Sequence, residues 1–215
     1  MMKKTVTLFL FGLLLSGAGQ ASAFVHFTQN EFTTAESLDP GMTQTGVHFT
    51  LGEDYKSYYP AIRYGLGALA EVGFKIGATS ADFRDDVKFG TGDKVGALIG
   101  VDLKYQLVKE TEGIPVDMAV DVGFDNTIMN SKNASEVTFS TLVSKNIPLT
   151  ERGYKLTPYG GLEMSAIYGS GVPRNDTAFY VIAGLQWKLS EKFMFLLEYK
   201  GGDSNLGGVG IRFEY

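Results

Sequence analysis

The sequence contains no cysteine, and this absence removes several classes of protein at once. A chain without thiols cannot form disulfides, bind a metal through thiolates or use a cysteine nucleophile. Histidine is nearly absent as well, since only His26 and His48 occur among 215 residues, which leaves little for zinc binding or imidazole catalysis. The net charge of −5 gives no basic footprint for nucleic acid, so we expect no nucleic-acid partner.

Long apolar stretches are also missing, apart from one at the front. Residues 1–23 combine Lys3 and Lys4, the apolar run Thr5–Leu15 and the small residues Ala21-Ser22-Ala23. This order predicts a secretory signal peptide that is cleaved after residue 23. The apolar run is too short for a helix that spans a bilayer, which needs about 20 residues. We therefore expect an exported chain that enters a membrane, if at all, without helices.

The rest of the chain alternates apolar and polar residues with a period of two. In one segment Val101 and Leu103 share a face, whereas Asp102 and Lys104 share the other. Successive side chains of a strand point to opposite faces, so the pattern predicts β-strands. The predicted strands are long, and their polar faces carry glycine and fully charged residues. Both features favour a transmembrane barrel, with apolar side chains outward and charges inward, over a soluble sandwich or barrel with the reverse arrangement.

The last predicted strand carries a more specific signal. Val209, Ile211, Phe213 and Tyr215 alternate with small or polar residues up to the final aromatic. This pattern resembles the last strand of Gram-negative outer-membrane β-barrel proteins, with Tyr215 in place of the commoner phenylalanine. The resemblance implies that these four residues are the signal for the barrel-insertion machinery. It also implies an outer-membrane location, with the lipid bilayer and lipopolysaccharide as partners, and it identifies no substrate.

The fold class that we predict is all-β, an antiparallel up-and-down barrel formed by residues 44–215. Ten strands are expected, with eight or twelve as alternatives, and connections should be long outside and tight on the periplasmic side. Aromatic residues should mark the periplasmic interface, and the candidates are Tyr105, Tyr154, Trp187 and Phe193, together with Tyr215. Residues 24–43 lack the alternation and form either a periplasmic lead-in, which we favour, or a plug inside the barrel.

The polar faces of the predicted strands define a charged lumen. Seven bases and seven acids are expected to line it: Arg63, Lys75, Lys104, Lys155, Lys188, Lys200 and Arg212, with Glu71, Asp102, Asp117, Asp121, Glu163, Glu198 and Glu214. Buried charges are tolerated when they are paired, so we expect ion pairs throughout a narrow interior. Two functions remain open, a narrow passive pore for small polar solutes or ions and a closed structural barrel. A surface barrel that mediates adhesion or ligand binding through its extracellular loops is the alternative.

Enzymatic barrels provide a further comparison. Omptin proteases resemble the chain in length and predicted strand number, but they use a carboxylate pair together with an Asp-x-His pair, and this sequence contains no Asp-x-His. Asp85 and Asp86 could imitate only the carboxylate pair, and a solvated loop explains them more simply than a divalent-cation site does. We expect no catalytic residue, cofactor or metal site, and an omptin-like protease remains the weaker alternative.

Overall fold

The computed structural model describes residue 29 and residues 31–52, 55–83, 92–129, 132–150, 154–170 and 176–215. The predicted signal peptide and the acidic pair at residues 85 and 86 lie outside these described residues. Within them, no helix has the length and apolar character needed to cross a membrane.

Ten long antiparallel strands make up most of the described chain. In order they are β1 (Thr43–Gly52), β2 (Tyr55–Gly65), β3 (Ala70–Phe83), β4 (Gly92–Val108), β5 (Asp117–Met129), β6 (Lys132–Ser144), β7 (Lys155–Tyr168), β8 (Asp176–Lys188), β9 (Phe193–Gly202) and β10 (Leu206–Glu214). A two-residue strand, Ile147–Pro148, pairs with the start of β7. Each long strand pairs with its neighbour in sequence, and β1 pairs with β10, which closes the ring. The predicted ten-stranded up-and-down barrel is confirmed.

The two faces of the wall differ as the alternation predicts. Val101, Val181 and Ile211 are 37%, 50% and 41% exposed on the outer face, whereas Lys104 and Arg212 are 1% and 4% exposed on the inner face. A continuous apolar exterior is unfavourable in water and matches the hydrocarbon of a bilayer, where one outward Arg or Lys would cost about 2–4 kcal/mol. The fold is therefore a transmembrane barrel.

The connections between strands do not show the predicted asymmetry in length. Residues 43 and 215 lie at one edge of the barrel, called here the terminal edge, whose connections are 66–69, 109–116, 145–154 and 189–192. The connections at the opposite, far edge are 53–54, 84–91, 130–131, 169–175 and 203–205. The prediction of long outer and tight inner connections is wrong. The strands continue into the predicted outer loops, since β2 already begins at Tyr55 and β3 extends to Phe83.

Aromatic side chains surround the barrel near the terminal edge. The candidates for an interface belt lie there on the outer face, exposed or partly exposed: Tyr105, Tyr154, Trp187, Phe193 and Tyr215. The rings of Phe193 and Phe213 meet at a centroid separation of 5.3 Å. The residues predicted as an insertion signal also face outward: Val209, Ile211, Phe213 and Tyr215. Such aromatic girdles occur where a transmembrane barrel passes from hydrocarbon to water.

Candidate functional site

The segment that precedes β1 lies inside the barrel. Residues 29 and 31–42, called here the plug segment, have no strand partner, and Phe32, Thr33, Thr34 and Ala35 are all buried. Of the two placements open for residues 24–43, the described part takes the lumen and not the lead-in position that we favoured. An irregular segment can be buried in this way only if its backbone groups find other hydrogen-bond partners. Side chains of the wall supply them.

Lys104 on β4 is one principal attachment of the plug segment. Its Nζ donates to Thr33 Oγ1 at 2.9 Å and to the carbonyl oxygens of Thr34 and Glu36, each at 2.7 Å. The same Nζ lies 3.0 Å from Glu71 Oε1 on β3. Hydrogen bonds from a charged group contribute about 1.5–3 kcal/mol each. Lys104 therefore ties three plug residues to one position of the wall.

The opposite part of the wall binds the same segment. Glu198 on β9 accepts the backbone N–H groups of Glu31 and Phe32, both at 2.6 Å. Arg212 on β10 donates to the carbonyl oxygen of Phe32, and Lys200 on β9 donates to that of Gln29. In a ring of ten strands β4 and β9 are five positions apart in both directions. The plug segment therefore bridges the full width of the lumen.

Further contacts follow the segment toward the terminal edge. Three plug N–H groups donate to wall side chains: Ala35 to Ser144 Oγ at 3.1 Å, Ser37 to Gln106 Oε1 at 3.0 Å and Leu38 to Glu71 Oε2 at 2.8 Å. The N–H of Gly41 then donates to the carbonyl of Gly65 at the end of β2, at 3.0 Å. A Cβ atom on Gly65 would lie 2.2 Å from the carbonyl oxygen of Asp39, so this approach requires glycine.

Phe32 holds a strained backbone conformation in the middle of the lumen. Its φ of 47° lies in the left-handed region, which costs a bulky residue about 1–3 kcal/mol. The Phe32 ring stacks on His48 at 4.9 Å, and His48 contacts Tyr59 at 5.2 Å. Such a conformation persists only when the surrounding contacts determine it. His48, which the sequence places on the lumen face, thus packs against the plug segment.

Every charged residue predicted for the lumen lies on the inner face of the wall. Arg63 joins three carboxylates, at 2.8 Å from Glu71, 3.0 Å from Asp102 and 3.8 Å from Asp121. Further wall and plug pairs among the described residues are Lys75–Asp125 at 2.7 Å, Lys200–Glu163 at 2.6 Å, Lys200–Glu31 at 3.7 Å, Lys188–Glu214 at 2.9 Å and Lys155–Glu36 at 2.5 Å. Asp117 is bound differently, by the side-chain amide of Gln106 and the N–H of Glu110, each at 2.8 Å.

The predicted balance of seven acids against seven bases does not hold, because further carboxylates share the interior. Asp125 is buried on β5 and Glu136 on β6. The sequence contained a signal for Asp125, which has the same parity along its strand as Asp121. The plug segment adds Glu31 and Glu36, and no periodic pattern could have placed these two in the lumen.

Two of the cavities in the described part of the chain lie between the plug segment and the wall. The larger, about 210 Å³, is near the terminal edge and is lined by charges of both signs, including Lys104, Lys188 and Glu214. It ends against plug residues 33–39. The smaller, about 20 Å³, lies beside Glu31 and Asp102 and has room for about one water molecule.

No protein-family model matches the chain, and no curated protein matches it. Among solved structures, it is similar to the N-terminal β-barrel domain of Pseudomonas aeruginosa OprF, at 14% identity and a TM-score of 0.39 over 83% of this chain and 100% of that one. It is similar to the COG4313 outer membrane channel from Pseudomonas putida F1, at 12% identity and a TM-score of 0.44 over 88% of this chain and 99% of that one. It is also similar to the KdgM porin, at 9% identity and a TM-score of 0.40 over 79% of this chain and 98% of that one. Similarities this distant carry no argument about function.

The wall holds the plug segment in two ways. Charged side chains of the wall bind the plug backbone, and Phe32 and Ala35 pack into buried apolar clusters with wall residues. Charged hydrogen bonds of this kind are strong in a dry interior and are readily exchanged for water once water enters. In the described part of the chain, the plug segment therefore occupies the lumen through both polar and apolar contacts.

Proposed function

We propose that the protein is an outer-membrane barrel that keeps its lumen closed with its own plug segment and conducts small ions when that segment leaves. The terminal edge faces the periplasm, and the outer face contacts lipid and lipopolysaccharide. The proposal joins the two functions left open by the sequence, because a closed barrel and a narrow pore become two states of one molecule. It includes no catalytic role.

One observation carries the proposal, namely that the plug segment is attached to opposite sides of the wall. Lys104 binds it from β4, while Glu198 binds it from β9. A segment attached on one side only could leave a channel beside it. Attachment across the diameter instead places backbone in the path that a solute would follow.

Release of the plug segment would leave a lumen lined by fixed charges. The left-handed backbone of Phe32 favours release, since the strain that the contacts impose disappears in the free segment. The groups that would then face the passage, and that would set ion preference through their charge, are Arg63, Lys75, Asp102, Lys104, Asp121, Glu163, Glu198 and Arg212. Acids and bases both line it, so we expect conduction of small ions with modest selectivity.

Single-channel conductance in planar bilayers tests the proposal. The comparison is between the barrel with its plug segment and a variant that lacks residues 24–38 but keeps Asp39–Met42, whose backbone contacts Gly65 at the terminal edge. We expect the first to be closed for most of the time and the second to show stable conductance steps. The difference in migration between unheated and boiled samples on gels establishes that each variant is folded.

Two outcomes would contradict the proposal. Stable conductance by the unaltered barrel at the level of the deletion variant would mean that the plug segment does not close the lumen. Silence of a folded deletion variant would mean that the wall side chains fill the lumen alone, and the protein would then be a closed structural barrel.

A further inference from the structure

The plug segment and two wall strands bring three carboxylates together in the middle of the lumen. Glu31 comes from the plug, Asp102 from β4 and Asp121 from β5. One oxygen of each lies within 4.8 Å of the other two. A point between three oxygens at that separation lies at most about 2.8 Å from each, close to the Ca²⁺–oxygen distance of 2.3–2.6 Å, so a small approach lets one ion contact all three. Mg²⁺, with bonds of 2.0–2.1 Å, would require the carboxylates to approach one another further.

Asp121 lacks the partners that a buried carboxylate needs. Its side chain is 1% exposed, and neither of its carboxylate oxygens accepts a hydrogen bond within the described part of the chain. Its one ionic contact is Arg63 Nη2 at 3.8 Å, and that nitrogen lies closer to Asp102, at 3.0 Å. A buried carboxylate in this condition is unfavourable without a further cation or a proton. One oxygen of this carboxylate lies in the cluster with Glu31 and Asp102.

The charges around the cluster leave a negative surplus. Two sets of ion pairs surround the cluster: Arg63 and Lys104 with Glu71, Asp102 and Asp121, and Lys200 with Glu31 and Glu163. Among the other charges nearby, Lys75 pairs with Asp125 at 2.7 Å, whereas Arg212 and Glu198 bind the carbonyl and the N–H of Phe32. The set that contains Arg63 has three carboxylates for two bases, and a cation bound at the cluster would offset this excess of negative charge.

We propose that Glu31, Asp102 and Asp121 bind one Ca²⁺ ion, which ties the plug segment to β4 and β5. The cavity of about 20 Å³ beside Glu31 and Asp102 provides space for a water ligand to complete the oxygen shell. Two of the ligands belong to the wall and the third to the plug, so the ion favours the closed state. This last consequence rests on the proposed function, whereas binding of the ion does not.

Calcium content per chain tests the site directly. Purified barrel, freed of lipopolysaccharide and stripped with a chelator, is equilibrated with Ca²⁺ and analysed by mass spectrometry and calorimetry. We expect the unaltered chain to bind one Ca²⁺ more than Asp121→Asn, or to bind it at least tenfold more tightly. Asp117→Asn is the matched control, because Asp117 is another buried, inward-facing carboxylate of β5 that has its own hydrogen-bond donors. Calcium bound by surface carboxylates is the same in all three proteins, so it does not contribute to the difference between them.

The possible results distinguish a failure of the calcium site from a failure of closure by the plug segment. The site is overturned if the unaltered chain and Asp121→Asn, both folded, bind calcium equally. It is also overturned if neither of them binds calcium, since the carboxylates would then share protons. Glu31→Gln should weaken binding in the same way, and a barrel that binds calcium normally without Glu31 would exclude the plug as a ligand. Conductance that depends on the plug segment but not on Ca²⁺ would overturn the role of the ion in closure and leave the proposed function intact.

Discussion

Replacement of Lys104 by methionine should release the plug segment. The substitution keeps an unbranched side chain of similar length and removes the ammonium group that binds Thr33, Thr34 and Glu36. Glu71 loses one of its two cations but keeps Arg63 at 2.8 Å. The change therefore affects the plug more than the wall.

The size of the effect on plug release follows from the buried charge pair that the substitution breaks. Loss of one partner from a buried, hydrogen-bonded charge pair costs about 3–5 kcal/mol. Part of this cost comes from leaving the buried Glu71 with one cation fewer, and that part does not depend on the plug. We therefore assign about 3 kcal/mol to plug attachment. Since about 1.4 kcal/mol corresponds to a factor of ten, the released fraction should rise about 100-fold.

Cysteine labelling measures that fraction, because the chain has no cysteine of its own. Ala35→Cys places a thiol on a fully buried plug residue, and its reaction with a water-soluble maleimide follows the fraction of time that the plug is released. We expect Lys104→Met to accelerate labelling about 100-fold. Lys188→Met is the control, since Lys188 is partly exposed and pairs with the wall residue Glu214 at 2.9 Å. A folded Lys104→Met barrel labelled within about threefold of its parent would refute the reasoning.

Three other changes test the wall, the plug entrance and the insertion signal. Val101→Arg, at an exposed position in the middle of β4, should lower the free energy of unfolding in lipid vesicles by about 2–4 kcal/mol. Leu66→Arg, at the terminal edge, should lower it by about 0–1 kcal/mol. Equal losses would exclude a bilayer around the barrel. Gly65→Val should lower the midpoint of thermal unfolding, because its Cβ would meet the Asp39 carbonyl at 2.2 Å, and an unchanged midpoint would show that this plug contact is not formed. Tyr215→Ala should reduce the amount of folded barrel in outer membranes without changing refolding yield in detergent; normal assembly would show that this residue is not part of the signal.

The wall of the barrel was predictable because strand periodicity is a local property. Parity along a strand fixes the face of each residue, so Val101 and Lys104 could be assigned to opposite faces from sequence alone. The count of ten strands followed from the same alternation. The lengths of the connections did not, because Tyr55 and its neighbours continue a strand with polar residues that resemble a loop.

The plug segment was not predictable, because its position depends on distant partners. Glu31 and Leu38 lie in a stretch without any alternation, and their N–H groups bind Glu198 and Glu71, which are far away in sequence. The carboxylate cluster shares this property in part, since Asp102 and Asp121 come from paired neighbouring strands, whereas Glu31 reaches them only from the plug segment. Asp125 is different, because its parity already placed it inward beside Asp121.

Disulfide formation between Ala35→Cys and Ser144→Cys tests most directly whether the plug segment lies in the lumen. The Ala35 N–H and Ser144 Oγ are 3.1 Å apart across the gap between plug and wall. In outer-membrane fractions treated with a mild oxidant, we predict near-complete crosslinking of this pair and none between Ala35→Cys and Thr111→Cys, which is on an exposed connection. Free reaction of both thiols of the first pair with a water-soluble reagent, without a crosslink, would contradict a plugged barrel.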